Sequence, residues 1–266
     1  MNLQNLPYPA RGLIVAPAGK LIIGIDYSQV EPRIASHVSG DKHLQEPYLT
    51  GKDLYSTLAS RVFKVPIEEC GDGSKYRKMM KTGLLAVLYG TSTFTLSKQL
   101  GISVEEAEAF MGDFMTAYPQ LAQFIEDTHH KADTEGYVQT LKGRKRRFIG
   151  HKPVATEYHR ITKRIEGILG RPFKNIWQEQ KVPRELKQKY WSVARQYGRV
   201  SRQSVNAIIQ GTSADVMKIA MINLWKHLET KGEEWKILAT IHDEVLIEVP
   251  LSLIHISEPT RHSLIS

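Results

Sequence analysis

Apolar and polar positions follow two rhythms along this chain, a short-run rhythm near both ends and a helical one between them. Apolar runs at 12–17 and 21–25, split by Ala18-Gly19-Lys20, predict a hairpin leading into Asp26. Two further runs, 235–241 and 245–249, flank Asp243-Glu244 and predict a second hairpin. Helical spacing takes over at 30–37, 54–63 and 74–89, with Gly40-Asp41 as a break. Ser103 with Glu106 three residues on is a capping box ahead of an apolar helical stretch at 107–114, and Pro119 opens the next helix. Residues 137–141 predict a strand with its turn at Lys142-Gly143-Arg144. From 200 the helical rhythm returns, is interrupted at 211–213, and resumes as an amphipathic helix over 214–228. The pattern predicts an α+β fold in which early and late strands share an antiparallel sheet and a mostly helical segment is inserted between them.

Composition narrows the class. The 266 residues are 41 % apolar, enough for an ordinary core, and one cysteine, Cys70, excludes an internal disulfide and a cysteine zinc site. No run approaches the roughly 20 apolar residues of a membrane span, and residues 1–11 lack a signal-peptide pattern, so the expectation is a cytoplasmic protein with no membrane partner. The formal charge of +8 points to an anionic partner, and its distribution says more. Residues 142–202 carry 18 Lys and Arg against 4 Glu and no Asp, half of the chain's 36 basic residues. That is an electrostatic footprint for phosphates. Trp177 and Trp191 lie in it and are expected to anchor the packing of its helices.

Two places carry chemistry. Asp26 follows a strand directly, where an aspartate ordinarily opens a turn or caps a helix. Asp243-Glu244 sits between two strands, and strands can bring the two aspartates together as metal ligands. In 74–89, Arg77, Lys81, Leu85 and Tyr89 recur every four residues along one helical face, so two cations stand one turn apart. Gly83 weakens that helix by roughly 1 kcal/mol against alanine, which points to close packing or motion there. Arg202, Asn206 and Gln210 are likewise four apart; amides and guanidinium suit minor-groove acceptors, which test pair geometry without reading sequence.

Asp26-Tyr27-Ser28-Gln29-Val30-Glu31-Pro32-Arg33, the set Arg77, Lys81, Tyr89 and Gly90, and Ile241-His242-Asp243-Glu244 resemble, in order, three signature motifs of family A DNA polymerases, the DNA polymerase I type. Asn2-Leu3-Gln4-Asn5-Leu6-Pro7 is similar to the segment just ahead of that family's palm domain. The resemblance implies a template-directed polymerase that adds deoxynucleotides to a primer 3′-hydroxyl in DNA replication or repair, with two Mg²⁺ ions and release of pyrophosphate. It implies Asp26 and Asp243 as metal ligands with the Tyr27 carbonyl, and Glu244 as a weaker partner. Arg77 and Lys81 would grip the triphosphate, with Lys81 also protonating pyrophosphate; Gln29, Tyr55, Leu85 and Tyr89 would line the nucleotide site, and Glu31 would fill the space of a ribose 2′-hydroxyl. Gln4, Asn5, Arg202, Asn206, Gln210 and His242 would contact primer-template DNA. The resemblance also implies a monomer.

By the same resemblance, 1–40 and 199–250 form the palm and 41–198 the fingers, with no thumb, so primer-template would be held weakly. Three departures stand out. Tyr55 replaces a common histidine and brings no positive charge; Leu85 replaces Phe or Tyr, as in phage-encoded members; and 148–195 is a basic insertion. Residues 251–261 can be written as codons of a transposase-type sequencing adapter, so 251–266 is expected to be a non-native tail. Two other classes share parts of this pattern: a metal-dependent nuclease, which has paired carboxylates and a basic groove, and a non-catalytic nucleic-acid-binding remnant.

Overall fold

The computed structural model describes residues 15–231, 234–241 and 243–251. In chain order these form β1 (Lys20–Asp26), α1 (Val30–Ser39), α2 (Lys42–Thr50), α3 (Leu54–Phe63), α4 (Lys75–Leu88), α5 (Thr93–Leu100), α6 (Val104–Ala117), α7 (Pro119–Glu135), β2 (Tyr137–Gln139), β3 (Lys145–Arg147), α8 (His151–Leu169), α9 (Arg184–Lys231), β4 (Lys236–Ile241) and β5 (Glu244–Pro250). The fold is mostly helical with two small antiparallel sheets, β1-β5-β4 and β2-β3. Two compact units divide it: the described residues up to Pro32 with those from Ser213 onward, and 33–212.

In the first unit the three-stranded sheet sorts its residues by parity. Leu21, Ile23, Val245, Ile247 and Val249 pack with Met217, Met221 and Leu224 of α9 into one apolar cluster. The alternate positions are mixed: Lys20, Ile22, Gly24 and Asp26 on β1, Glu244, Leu246 and Glu248 on β5. Lys20 Nζ reaches Glu248 Oε1 at 2.8 Å. The strand expected ahead of β1 is absent from its described part: Val15–Pro17 is irregular, and the Lys20 amide donates to Pro17 O (3.1 Å) in a turn.

In the second unit, Asp41 ties two helices. It is fully buried; Oδ1 accepts from the His43 and Leu44 amides at the start of α2, and Oδ2 from the Gln120 and Leu121 amides at the start of α7. Helix α7 begins with Pro119 and has no capping side chain of its own, so this remote carboxylate supplies the acceptor that its first turn lacks. Gly83 is explained by close approach: a Cβ there would run into the Phe110 ring of α6. The Ser103–Glu106 capping box forms as the sequence predicts.

Two further expectations are corrected. Gly211-Thr212-Ser213 does not interrupt the helix: α9 is continuous for 48 residues. The β2-β3 hairpin docks there instead, with the Leu141 amide donating to Thr212 Oγ1 (3.2 Å) and Arg144 Nη2 to Gly211 O (2.7 Å). A Cβ at 211 would lie 2.7 Å from the Thr140 methyl, so the glycine serves contact rather than termination. The tryptophans of the basic segment are not packing anchors; each is 48 % exposed. The core there is Ile161, Ile165, Ile176, Val182 and Leu186 with Phe173 and Tyr190, and Asp133 binds it to α7 through His151 (2.7 Å), His159 (2.9 Å) and the Tyr197 hydroxyl (3.1 Å).

Candidate active site

The sheet edge carries the first group of candidate residues. Asp26, the last residue of β1, lies opposite Glu244, the first of β5. The Tyr27 amide donates to Asp243 O (3.3 Å), pinning the two strand ends together. The Asp26 carboxyl is held above its ordinary range by desolvation first and then by the charge and hydrogen bonding of Asp243, against a lowering bond from the Tyr27 backbone. Asp243 thus lies close enough to perturb Asp26, and no cation of the described residues is among the causes that set the Asp26 carboxyl, which is still exposed.

Such a pair fits a hard divalent cation. Asp26 and Asp243 supply hard oxygen donors, and a cation would offset both the desolvation and the Asp243 charge that raise the Asp26 carboxyl. Among the described residues no group of three or more His, Cys, Asp or Glu converges on one point, so the remaining donors would be backbone carbonyl and water. Glu244 folds its carboxylate over Gly24, where any Cβ would collide with it. Gly24 is a site residue that the sequence reading missed, although a glycine inside a strand is itself a signal of close approach. Gln29 holds a φ of 54°, the left-handed region, three residues after Asp26. For glutamine that conformation costs on the order of 1 kcal/mol and marks a position held by its surroundings.

The second group lies in the helical unit. Ser74 caps α4, and Arg77 and Lys81 stand one turn apart on it, Lys81 exposed and Leu85 half-buried. Arg77 does not stand alone. Its Nε and Nη2 bond both oxygens of Asp53 (2.9 and 3.1 Å), and Nη1 bonds Asp72 (3.1 Å). The guanidinium beside Asp53 lowers that carboxyl to about 2, helped by the Ser56 amide and hydroxyl. Asp53 also caps α3, so one carboxylate both starts a helix and orients the arginine. Tyr55 is buried, with the Arg77 guanidinium 5.7 Å from its ring centre, and burial raises its hydroxyl. Residue 55 thus reaches the arginine through its ring face, a contact that a histidine at this position need not make.

Tyr89 closes α4, and Gly90 follows with φ 62°. A Cβ at 90 would sit 2.7 Å from Arg202 Cγ, so the end of α4 meets the start of the Arg202, Asn206, Gln210 row on α9. Arg202 and Gln210 are exposed; Asn206 is half-buried and its Oδ1 is buried with no partner among the described residues. Gln4, Asn5 and His242 lie outside the described residues, as does 252–266.

Comparison with known proteins agrees with this arrangement. The chain matches the family described as DNA polymerase family A over residues 1–263. It is 33 % identical over 255 residues to the thermostable DNA polymerase I of Thermus filiformis, and 30 % identical over 257 residues to DNA polymerase I of Lactococcus lactis. Each alignment takes in 94 % of this chain but only 26 % and 25 % of the relative, so the chain spans about a quarter of their length. Among solved structures it is similar to the POL domain of Pol1 from M. smegmatis in complex with DNA primer-template and dNTP. There the TM-score is 0.72 and the identity 30 %, over 95 % of this chain and 39 % of that one. A match to the family along almost the whole sequence establishes that this chain belongs to DNA polymerase family A.

Proposed function

We propose that this chain is the nucleotidyl-transferring part of a template-directed DNA polymerase, acting on primer-template DNA and deoxynucleoside triphosphates. The observation that carries the reading is the Asp26–Asp243 pair at a sheet edge, where desolvation and the neighbouring Asp243 carboxyl raise the Asp26 carboxyl. In this reading the β1-β5-β4 sheet is palm, and α2 to α8 with the first part of α9 belong to the fingers. Asp26, Asp243 and the Tyr27 carbonyl would hold two Mg²⁺ ions, which when bound lower the pKa of an attacking 3′-hydroxyl and neutralise pyrophosphate.

The chain's own residues do the rest. Arg77, held in its rotamer by Asp53 and Asp72, presents a preorganised charge to the triphosphate, and exposed Lys81 adds a mobile one that can give a proton to pyrophosphate. Tyr89, Leu85, Tyr55 and Gln29 shape the nucleotide site, and Glu31 excludes a ribose 2′-hydroxyl. Arg202, Asn206 and Gln210 donate to minor-groove acceptors, and Gln4, Asn5 and His242 contact DNA or the primer end.

The test is extension of a labelled primer on a templated duplex with Mg²⁺ and all four deoxynucleotides, with the full-length parent polymerase as the standard. Templated lengthening that Asp243→Ala abolishes, with duplex binding intact, is the expected result. Shortening of the primer alone would move the assignment to a nuclease.

A further inference from the structure

We infer that the basic segment carries a binding track for single-stranded DNA, in which Trp177 and Trp191 stack unpaired bases and arginines of α9 hold the phosphates. The identity of that strand as template rests on the polymerase reading; the binding chemistry does not.

The observation is the exposure of two large aromatic side chains where packing does not need them. The local core closes on Ile161, Ile165, Ile176 and Leu186, leaving Trp177 and Trp191 each 48 % exposed. Both line one groove of 380 Å³, together with Gln188, Ser192, Arg195 and Gln196. A second groove, of 260 Å³, shares Gln196 and is lined by Arg146, Arg147, Arg199 and Gln203. Neither groove is lined by an acidic residue. Two of the segment's four glutamates are already occupied, Glu157 by Arg160 and Lys189, and Glu179 by Arg171.

Spacing turns these grooves into a track. Gln188, Trp191, Arg195, Arg199 and Gln203 recur every three or four residues on one face of a continuous helix. From Trp191 to Gln203 that face runs about 18 Å at 1.5 Å per residue. Alternating aromatic faces and cations fit a strand whose bases are unpaired and whose phosphates are regularly spaced; the sequence-tolerant stacking of bases on tryptophan needs no hydrogen-bond readout. A double helix offers no base faces to such rings.

The experiment measures anisotropy of fluorescein-labelled dT16 with the whole chain, alongside quenching of tryptophan emission. The chain is expected to bind dT16. Trp177→Ala with Trp191→Ala should weaken binding by about 30-fold or more, Trp225→Ala, also exposed but outside the track, should leave it unchanged, and the Phe double variant should keep affinity while losing the quenching. No binding of dT16, equal affinity in the Ala double variant, or undiminished quenching in the Phe double variant would overturn the inference. Asp26→Asn separates the two readings, since it should stop extension and leave dT16 binding untouched.

Discussion

Asp26 and Asp53 each stand just ahead of a helix, yet their surroundings drive their carboxyls in opposite directions. Asp53 faces the Arg77 guanidinium and the Ser56 amide and is lowered to about 2; Asp26 is raised, by desolvation first and by the neighbouring Asp243 carboxyl second. Asp41, deeper still, meets four backbone amides. Where the helical unit uses an aspartate to hold itself together, it surrounds the charge with donors. Where the sheet unit sets two aspartates side by side, among the described residues only the Tyr27 backbone acts as a donor that lowers Asp26. In the proposed reading, that contrast is what sets the Asp26–Asp243 pair aside for a bound cation.

The comparison can be broken most sharply at Asp243. If the pair holds metal, Asp243→Ala should cut templated extension by more than the roughly 10- to 100-fold typical of an outer-shell residue, and a primer-extension time course that shows a smaller loss would break the contrast. On the other side, Asp41→Ala removes acceptors from two helix starts at once and should cost about 3 kcal/mol, each cap contributing about 1 and the stranded amides the remainder. Denaturant unfolding measures this, and a loss below about 1 kcal/mol would mean that one helix start finds another acceptor.

Asp53 should show a smaller effect with a pH signature. Its folded pKa is depressed, so its contribution is present above the ordinary carboxylate value near 3.8 and is lost as pH falls through about 2. Its side chain is 38 % exposed, so solvent screening limits the size. Stability of Asp53→Asn against pH should therefore run below the wild type at pH 5 and converge with it toward pH 2. Parallel curves would remove the ion pair from the account. Smallest in stability is Gly24→Ala, which displaces only the flexible end of Glu244 and should shift unfolding by less than about 1 kcal/mol while slowing extension. A large loss of stability there would make Gly24 a strand requirement instead.

Much of this was legible from periodicity. The helix expected at 54–63 is α3, the run at 235–241 differs from β4 by one residue, and alternation around Asp243-Glu244 already implied the hairpin. What the sequence hid were contacts between distant segments. Gly211-Thr212-Ser213 reads as a helix break because local propensity cannot show that a hairpin 70 residues earlier bonds Thr212 and lies against Gly211. Arg77 reads as a free cation because Asp53 is 24 residues away. The tryptophans read as core because aromatic residues usually are, while here aliphatic residues and Phe173 already fill that space. At the candidate site, the residue types announced the aspartates, but only strand register could show Glu244 lying over Gly24.

The central claim, that the Asp26–Asp243 pair is kept unstable for a divalent cation, is tested most directly by thermal unfolding of wild type and Asp26→Asn at pH 7 with and without Mg²⁺. The raised Asp26 carboxyl contributes stability below its unfolded pKa that is lost as pH rises through the folded one, so at pH 7 the ionised pair weighs against folding. The account predicts that Asp26→Asn melts higher than wild type without metal, and that Mg²⁺ raises the wild-type midpoint but not that of the variant. A variant that melts lower than wild type without metal, or that gains as much from Mg²⁺, would contradict it.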